Sequence, residues 1–164
     1  MIEIVKLNRE HNRKGFSCGV KSVDNFLHKF ARQQNDNIFS NAVTYCAVDS
    51  IAPNEILGFY SLHNMDETLN SVLKKAPKEP VGCLLLGWLG VDKQMQGEGL
   101  GKLLMQNALK RFVSYDGLFS ALLVDPIKNK PGIINFYKDH MFIPCSDTRY
   151  FIARETALKV LELS

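Results

Sequence analysis

Alternating glycines mark the segment of this chain that is best suited to binding chemistry. The run Gln96-Gly97-Glu98-Gly99-Leu100-Gly101 follows an apolar stretch over 83–91 and precedes a helix-forming stretch over 102–112. A strand, a glycine-rich turn and a helix in this order direct backbone N–H groups and the positive end of a helix dipole at one spot. A pyrophosphate binds well there, because glycine permits close approach and positive φ angles.

Two common nucleotide-binding motifs do not fit this turn. A P-loop ends in Gly-Lys followed by Ser or Thr, whereas Gly101-Lys102 is followed by Leu103, which has no hydroxyl for Mg²⁺. The dinucleotide fingerprint G-x-G-x-x-G differs from the spacing of glycines at 97, 99 and 101. It also normally opens a chain of this size, whereas this run lies past the middle.

The motif that fits is the Q/R-x-x-G-x-G/A turn of the GNAT superfamily of N-acetyltransferases, which Gln96, Gly99 and Gly101 resemble. In that superfamily the turn cradles the pyrophosphate of acetyl-CoA. The resemblance therefore implies acetyl-CoA as the co-substrate. A helix start that is rich in glycine for another reason is the remaining alternative.

Length and composition favour one domain over residues 1–164. A chain of 164 residues with a hydrophobic fraction of 46% can bury a sizeable core. Its apolar runs are shorter than the ~20 residues that a membrane-spanning helix needs. Glu3 stands in the N-terminal segment where a signal peptide would carry positive charge. These features predict a cytoplasmic protein without membrane association.

The four cysteines give no indication of a metal site or a disulfide framework. Cys18, Cys46, Cys83 and Cys145 lie far apart, with no C-x-x-C pair and no histidine at ligand spacing. We expect reduced, mostly buried thiols and no bound metal.

The apolar periodicity predicts strands that alternate with helices. Predicted strands cover 2–7, 43–48, 56–62, 83–91 and 119–124, with short strands around Phe142 and Tyr150. Predicted helices begin after an N-cap at Ser22 and cover 65–75, 102–112, 133–140 and 155–163. This order is mixed α/β and is the order expected of the GNAT fold, a mixed, mostly antiparallel twisted sheet flanked by helices.

Further segments resemble one branch of GNAT enzymes. Residues 16–33 resemble its opening F-x-C-G-x-x-x-L-(N/D)-x-F-L…A-x-Q, and 57–62 resemble G-(F/Y)-Y-(S/T)-L. Residues 86–101 resemble L-G-R-L-A-V-D-x-x-(Y/W)-Q-G-x-G-L-G, and 121–125 and 135–144 continue the match. This branch contains the acetyltransferase toxins of bacterial type II toxin–antitoxin pairs, which acetylate the amino group of aminoacyl-tRNA.

The resemblance implies a toxin that uses acetyl-CoA to acetylate aminoacyl-tRNA and so blocks translation. It also implies a ribbon-helix-helix antitoxin as protein partner and a homodimer. An enzyme that acetylates a small amine, a polyamine or a protein amine is the alternative within the superfamily. A non-catalytic module that binds acetyl-CoA is a third hypothesis, which an intact Tyr137 disfavours.

The resemblance also assigns site residues. Tyr137 occupies the position of the general acid that protonates the leaving thiolate, and a phenol with a pKa near ~10 is protonated at neutral pH. Alternatively, Tyr137 is an aromatic core residue of the helix over 133–140, although Phe136 is available for the buried face of that helix. The backbones of Leu89 and Val91 flank the acetyl and pantetheine arm, and Asn135 hydrogen-bonds that arm. The pyrophosphate is assigned to Gln96, Gly97, Glu98, Gly99, Leu100, Gly101 and Lys102.

The sequence departs from the branch at Trp88, where an arginine is usual. Tryptophan cannot supply the charge or the forked donors of arginine, so either the acceptor differs or Trp88 is packed in the core. A general base is not evident. Glu55, Asp92, Glu98 and His140 are candidates that are better explained as loop or helix-end charges, and His63 is expected to be structural.

Basic residues form groups that suit an anionic acceptor. The net charge is only +3, but it is uneven along the chain. Such groups can hold tRNA phosphates in a salt-sensitive way, although ordinary solvated surface explains them equally well. The three groups are Arg9, Arg13, Lys14 and Lys21; Lys74, Lys75 and Lys78; and Lys128 and Lys130.

Overall fold

A computed structural model describes residues 1–163 of this chain. The strands are β1 (Ile2–Lys6), β2 (Ala42–Asp49), β3 (Gly58–Glu67), β4 (Val81–Val91), β5 (Ala121–Val124), β6 (Ile143–Pro144) and β7 (Tyr150–Ala153). The helices are α1 (Lys21–Asn25), α2 (Ala31–Asp36), α3 (Leu100–Ser114), α4 (Ile133–Asp139) and α5 (Arg154–Glu162). A π-helical turn over Phe26–Phe30 joins α1 to α2, and a 3₁₀ turn over Lys93–Met95 follows β4.

The strands form one seven-stranded sheet in the order β1-β2-β3-β4-β5-β7-β6. β1 with β2, β2 with β3, β5 with β7 and β6 with β7 pair antiparallel, whereas β4 and β5 pair parallel. The predicted fold, a mixed and mostly antiparallel sheet with flanking helices, is confirmed. The register of β4 with β5 runs from Leu84↔Leu122 to Leu86↔Val124, while β4 continues to Val91.

The chain divides into two compact units. The first comprises Met1–His63 with Gly87–Ala108, and the second comprises Asn64–Leu86 with the residues from Leu109 onward. No helix in the described part of the chain combines the length and the apolar character that crossing a bilayer requires.

Aromatic rings pack the first unit around β3 and the α1 region. Phe16 meets Phe59 edge-on with ring centroids 5.3 Å apart, and Phe26 stacks on Phe59 at 6.1 Å. The predicted N-cap at Ser22 is wrong, because α1 already begins at Lys21 and its N-cap, Val20, makes no side-chain cap bond. The carboxylate of Asp24 instead accepts from the N–H of Cys18 at 2.8 Å, which ties the preceding loop to α1.

A second core lies within the second unit and contains Leu69, Cys83, Ala121, Leu123 and Phe151. The predicted helix over 65–75 is wrong. β3 continues to Glu67, and the chain then forms successive turns, with the N–H of Leu73 bonded to the carbonyl of Leu69 at 2.8 Å. The apolar spacing there is helical, but Leu69 is 1% exposed because it packs into this core from a turn.

Candidate active site

The glycine-rich turn has the backbone conformation that its sequence predicts. Gly97 and Gly99 adopt positive φ angles of 83° and 82°. A Cβ atom built on either residue would meet no atom within 4 Å, so the space beside the backbone is open. Glycine is therefore required at these two positions by conformation, since L side chains rarely adopt such angles. Gly101 differs, because it lies in the first turn of α3.

The turn directs the start of α3 at this open space. The first helical hydrogen bond runs from the N–H of Leu103 to the carbonyl of Gly99 at 3.1 Å. The preceding N–H groups belong to the first turn of a helix, which has no intrahelical acceptors for them. Leu100 is buried and anchors the turn, whereas Glu98 and Lys102 are exposed. An anion there would meet main-chain donors, the helix dipole and the charge of Lys102.

Gln96 holds the turn through its side chain. Its Nε2 donates to the carbonyl of Cys18 at 2.8 Å and to the carbonyl of Val91 at 2.9 Å. The side chain thus joins the turn to the last residue of β4 and to the loop before α1. In this structure, Gln96 positions the turn, and its amide nitrogen is already engaged.

Leu89 and Val91, the residues assigned to the acetyl and pantetheine arm, are half-buried near the end of β4. Both lie beyond Leu86, the last β4 residue in register with β5. The carbonyl of Val91 is one of the two acceptors of the Gln96 side chain. Asn135 is exposed on α4, two residues before Tyr137.

Tyr137 is the most deeply buried residue of α4, at 5% exposed. Its ring lies edge-on to Phe142, with centroids 5.7 Å apart, and to Phe136 at 5.3 Å. The expectation that Phe136 fills the buried face instead was wrong, since Phe136 is only half-buried. Burial raises the pKa of the Tyr137 phenol well above its ordinary range, because a phenolate would be desolvated. With its pKa raised by burial, the hydroxyl is a neutral hydrogen-bond donor at ordinary pH.

The candidate general bases serve structural roles or lie at the surface. Asp92 caps the 3₁₀ turn by accepting from the N–H of Gln94 at 3.0 Å, and it also accepts from the N–H of Ser17 at 3.1 Å. Glu55 accepts from Asn12, and Glu98 is exposed. Their interpretation as loop or helix-end charges agrees with these contacts.

Both histidines singled out by sequence are held by neighbouring groups. His140 is buried at the end of α4, with Nδ1 2.7 Å from the carbonyl of Phe136. His63 lies 3.2 Å from the Ser61 hydroxyl, and burial lowers its pKa. A Cβ at Gly87 would lie 2.5 Å from His63 Nε2, so the ring occupies space that only glycine leaves free. The structural interpretation of His63 agrees with this packing.

Trp88 is half-buried, and its ring stacks on Phe26 with centroids 5.1 Å apart and planes inclined by 11°. Phe26 stacks in turn on Phe59. Of the two explanations for this departure from the branch, packing is the one that these contacts support.

Within the described residues the four cysteines form no disulfide, and three of the four are buried. Burial raises the pKa of Cys46 to about 12 and that of Cys83 to about 11, so these thiols stay protonated and weakly nucleophilic. Across the described residues, no group of three His, Cys, Asp or Glu side chains is arranged to hold a metal ion.

An ion-pair cluster at the end of β5 was missed by sequence reasoning. Arg149 donates to both carboxylate oxygens of Asp125, from Nε at 2.7 Å and from Nη2 at 2.8 Å. Its Nη1 also pairs with Glu67 at the end of β3. These hydrogen bonds raise the pKa of the Arg149 guanidinium above its already high ordinary value. The carboxylates are 24 and 82 residues from Arg149, so local spacing gives no signal of the cluster.

Comparison with known proteins decides the family. Residues 7–142 match the acetyltransferase (GNAT) family, which is most of the chain. The chain belongs to that family. A tRNA-acetylating toxin of Mycobacterium tuberculosis is 31% identical to this GNAT chain over 102 residues. The match covers 60% of this chain and 58% of the toxin, so it spans less than two thirds of the toxin's length.

Solved toxin structures share the fold of this GNAT chain. AtaT complexed with acetyl-methionyl-tRNAfMet superposes with a TM-score of 0.85 at 22% identity, covering 99% of each chain. A mutant AtaT bound to the C-terminus of the antitoxin AtaR and acetyl-CoA gives a TM-score of 0.80 at 20% identity, covering 97% of each chain. At these identities the likeness establishes the architecture.

Proposed function

We propose that this GNAT chain is an acetyl-CoA-dependent N-acetyltransferase that acetylates the amino group of aminoacyl-tRNA and acts as a toxin by blocking translation. The observation that carries the reaction is Tyr137, a buried phenol that burial keeps protonated. The acceptor is supported by the partial match to a tRNA-acetylating toxin.

The turn over 96–102 is the proposed site for the pyrophosphate of acetyl-CoA. Its support is the pair of positive-φ glycines with open space beside them, and the start of α3 directed there. Gln96 positions this turn, and Lys102 adds a positive charge. Leu89 and Val91 are proposed to receive the acetyl and pantetheine arm along the end of β4, with Asn135 as a hydrogen-bond partner.

Transfer requires a neutral amine to attack the thioester carbonyl and a proton for the departing thiolate. We assign the proton donor to the hydroxyl of Tyr137. A raised pKa disfavours loss of this proton to solvent, while the thiolate formed as the C–S bond breaks is a strong proton acceptor. We assign no side chain as general base, because an aminoacyl ester has a less basic amine than a free amino acid and water can accept the proton.

The same proposal extends to assembly and location. We expect an antitoxin partner of the ribbon-helix-helix type, a homodimer and a cytoplasmic protein, and we propose that residues 1–164 form a single domain. AtaT has been solved with the C-terminus of the antitoxin AtaR, which supports the choice of partner. The family match over 7–142 includes residues of both compact units, which supports the single domain.

The decisive experiment supplies labelled acetyl-CoA and a pool of charged tRNAs to the wild type, Tyr137→Phe and a control, Tyr115→Phe. Tyr115 is 41% exposed and contacts Phe119 through its ring, so phenylalanine preserves its packing. We expect label on aminoacyl-tRNA with the wild type and the control, and little with Tyr137→Phe. Bound acetyl-CoA without label on any tRNA would reject the toxin reaction and direct attention to small amines.

A further inference from the structure

A groove within the second unit is lined mainly by apolar side chains. Its volume is about 460 Å³, and it lies between the turns that follow β3 and the start of α5. Its apolar lining includes Leu69, Leu73, Ala76 and Val81. Leu69 is a buried member of the second core, and the other three pack against that core. The groove therefore opens an edge of the hydrophobic core to solvent.

Positive charge accompanies this apolar lining. Lys74 and Lys75 are exposed, and Arg154 is half-buried in the first turn of α5. Glu155, which is also exposed, is the carboxylate of the same lining. Cations thus outnumber carboxylates in the lining by two. These charges favour a ligand that carries negative charge.

The guanidinium of Arg154 is incompletely hydrogen-bonded. Its Nε is buried and has no hydrogen-bond partner in the described part of the chain. Its Nη2 donates to the carbonyl of Val113 across 3.4 Å, which is long for an N–H···O bond. A buried donor without an acceptor costs free energy, and one carboxylate can accept from Nε and Nη2 together. A ligand carboxylate beside Arg154 would satisfy a donor that the protein leaves unpaired.

The apolar surface continues along the segment that precedes β5. Leu118 is 69% exposed and Tyr115 is 41% exposed, although both side chains are large and hydrophobic. This segment adjoins the groove, because the N–H of the lining residue Ser120 bonds to the carbonyl of Gly82, the neighbour of Val81, at 2.8 Å. A groove that continues into exposed apolar side chains is typical of a site for a protein partner.

The groove lies at the amino ends of the two parallel strands. Val81 is the first residue of β4, and Ser120 immediately precedes β5. In open sheets with parallel strands, small ligands bind at the carboxyl ends. The glycine-rich turn follows the carboxyl end of β4, and α4 follows that of β5. The groove therefore includes neither element to which the acetyl transfer is assigned.

These features together favour a polypeptide over a nucleic acid as the ligand. Bases stack on aromatic rings, and the described residues that line the groove include none. Phosphates need only exposed cations, so a nucleic acid would leave the apolar lining uncovered. A peptide with an apolar side chain between acidic residues would cover this lining and pair with the cations at the same time.

We propose that this groove is a docking site for an acidic segment of a partner protein. An apolar side chain of the segment packs against Leu73 and Val81, and its carboxylates pair with Lys74, Lys75 and Arg154. The fork of Arg154 holds one carboxylate in a fixed geometry and so sets the register of the segment. This site goes beyond the proposed acetyl transfer and does not depend on it.

Fluorescence anisotropy with a short labelled peptide tests the proposal. The probe has Leu and Phe at its centre and Asp and Glu on both sides. One control peptide replaces Leu and Phe by Ser, and another replaces Asp and Glu by Asn and Gln. We expect each control peptide to bind about tenfold more weakly, because apolar burial and charge pairing both contribute. Added salt should weaken binding of the probe, since exposed ion pairs are screened.

A charge-reversal variant tests the two lysines. Lys74→Glu/Lys75→Glu should weaken binding of the probe about tenfold, because its carboxylates then face like charges. The matched control is Lys110→Glu/Lys159→Glu, which makes the same change in net charge at two exposed lysines on α3 and α5. This control should bind the probe as the wild type does.

Two further variants separate the fork from the apolar lining. Arg154→Lys keeps the charge and removes the fork, so binding of the probe should weaken about fivefold. Leu73→Ser removes apolar lining, so it should reduce the preference for the probe over the peptide that carries Ser. Melting temperatures of all variants show whether each one folds.

Several outcomes would overturn the proposal. The wild type could bind all three peptides equally, bind the probe with a Kd above about 1 mM, or lose as much affinity in the control variant as in Lys74→Glu/Lys75→Glu. An RNA hairpin that displaces the probe, and that loses more affinity than the probe in the Lys74→Glu/Lys75→Glu variant, would make the groove a nucleic-acid surface instead. Neither acetyl-CoA nor tRNA is present in these measurements, so their failure would leave the proposed reaction untouched.

Discussion

The glycine-rich turn and helix α4 are built in opposite ways. In the turn, Gly97 and Gly99 leave the backbone open to solvent, and the groups available to a ligand belong to the main chain. In α4, the group of interest is one side chain, Tyr137, enclosed by Phe136 and Phe142. The proposed binding at the turn therefore depends on backbone conformation, whereas the proposed proton donation from α4 depends on a single atom. Substitutions should separate affinity from catalytic rate.

The largest expected effect is on rate. Tyr137→Phe keeps the ring and removes the hydroxyl, so we expect kcat to fall by about 10²–10⁴-fold, the usual range for a general acid. Affinity for acetyl-CoA should stay within about twofold of the wild type, as measured by calorimetry. If kcat were unchanged while the variant remains folded, another group would have to protonate the thiolate.

The next effect is on cofactor affinity. Alanine at Gly97 or Gly99 must adopt a left-handed conformation that costs roughly 1–2 kcal/mol, or else move the turn. We expect KM for acetyl-CoA to rise about tenfold, which corresponds to ~1.4 kcal/mol, with kcat little changed. Gly117→Ala is the matched control, since its φ is also 82° and its Cβ would also meet no atom within 4 Å. Gly117→Ala should lose about as much stability as the turn variants but keep the wild-type KM for acetyl-CoA. An equal rise in KM in this control would contradict a role of the turn in binding acetyl-CoA.

A smaller effect follows from loosening the turn. Gln96→Ala removes two hydrogen bonds to backbone carbonyls, each worth about 0.5–1.5 kcal/mol. Because the Gln96 side chain is exposed to water, we expect the lost free energy to lie near the lower end of this range. We expect KM for acetyl-CoA to rise about threefold and the melting temperature to fall slightly. Gln94→Ala, which alters an exposed glutamine in the neighbouring 3₁₀ turn, should change neither quantity.

The smallest effect is on alkaline stability. Burial raises the pKa of Tyr137 in the folded state, so the unfolded chain loses this proton first as the pH rises above ~10. The wild type should then lose up to about 1.4 kcal/mol of stability per pH unit relative to Tyr137→Phe. Urea unfolding at pH 8 and at pH 10.5 measures this difference. Equal pH dependence of the two proteins would mean that the phenol is more hydrated than its burial indicates.

Sequence predicted the turn well, because its determinants are local. The glycines, the preceding strand and the following helix all lie within about thirty consecutive residues, and the positive φ angles at Gly97 and Gly99 follow from residue type. Most strands and the long helix α3 were also predicted, because the periodicity of their apolar residues is visible in the local sequence.

The features that the sequence did not predict depend on contacts with residues that are distant along the chain. The segment 65–75 has helical spacing, but pairing extends β3 to Glu67 and the core accepts Leu69 from a turn. The burial of Tyr137 rather than Phe136 depends on which neighbours face α4 in space. The link from Arg149 to Glu67 joins residues 82 positions apart, and no local pattern encodes it.

The two hydrogen bonds of Gln96 have a thermodynamic consequence. One of them connects the glycine-rich turn to Cys18, 78 residues earlier in the chain, in the loop that precedes α1. A ligand that orders the turn must then also restrict that loop, and coupling of this kind is reciprocal. If the turn binds the pyrophosphate as proposed, the loop before α1 is energetically part of the same site.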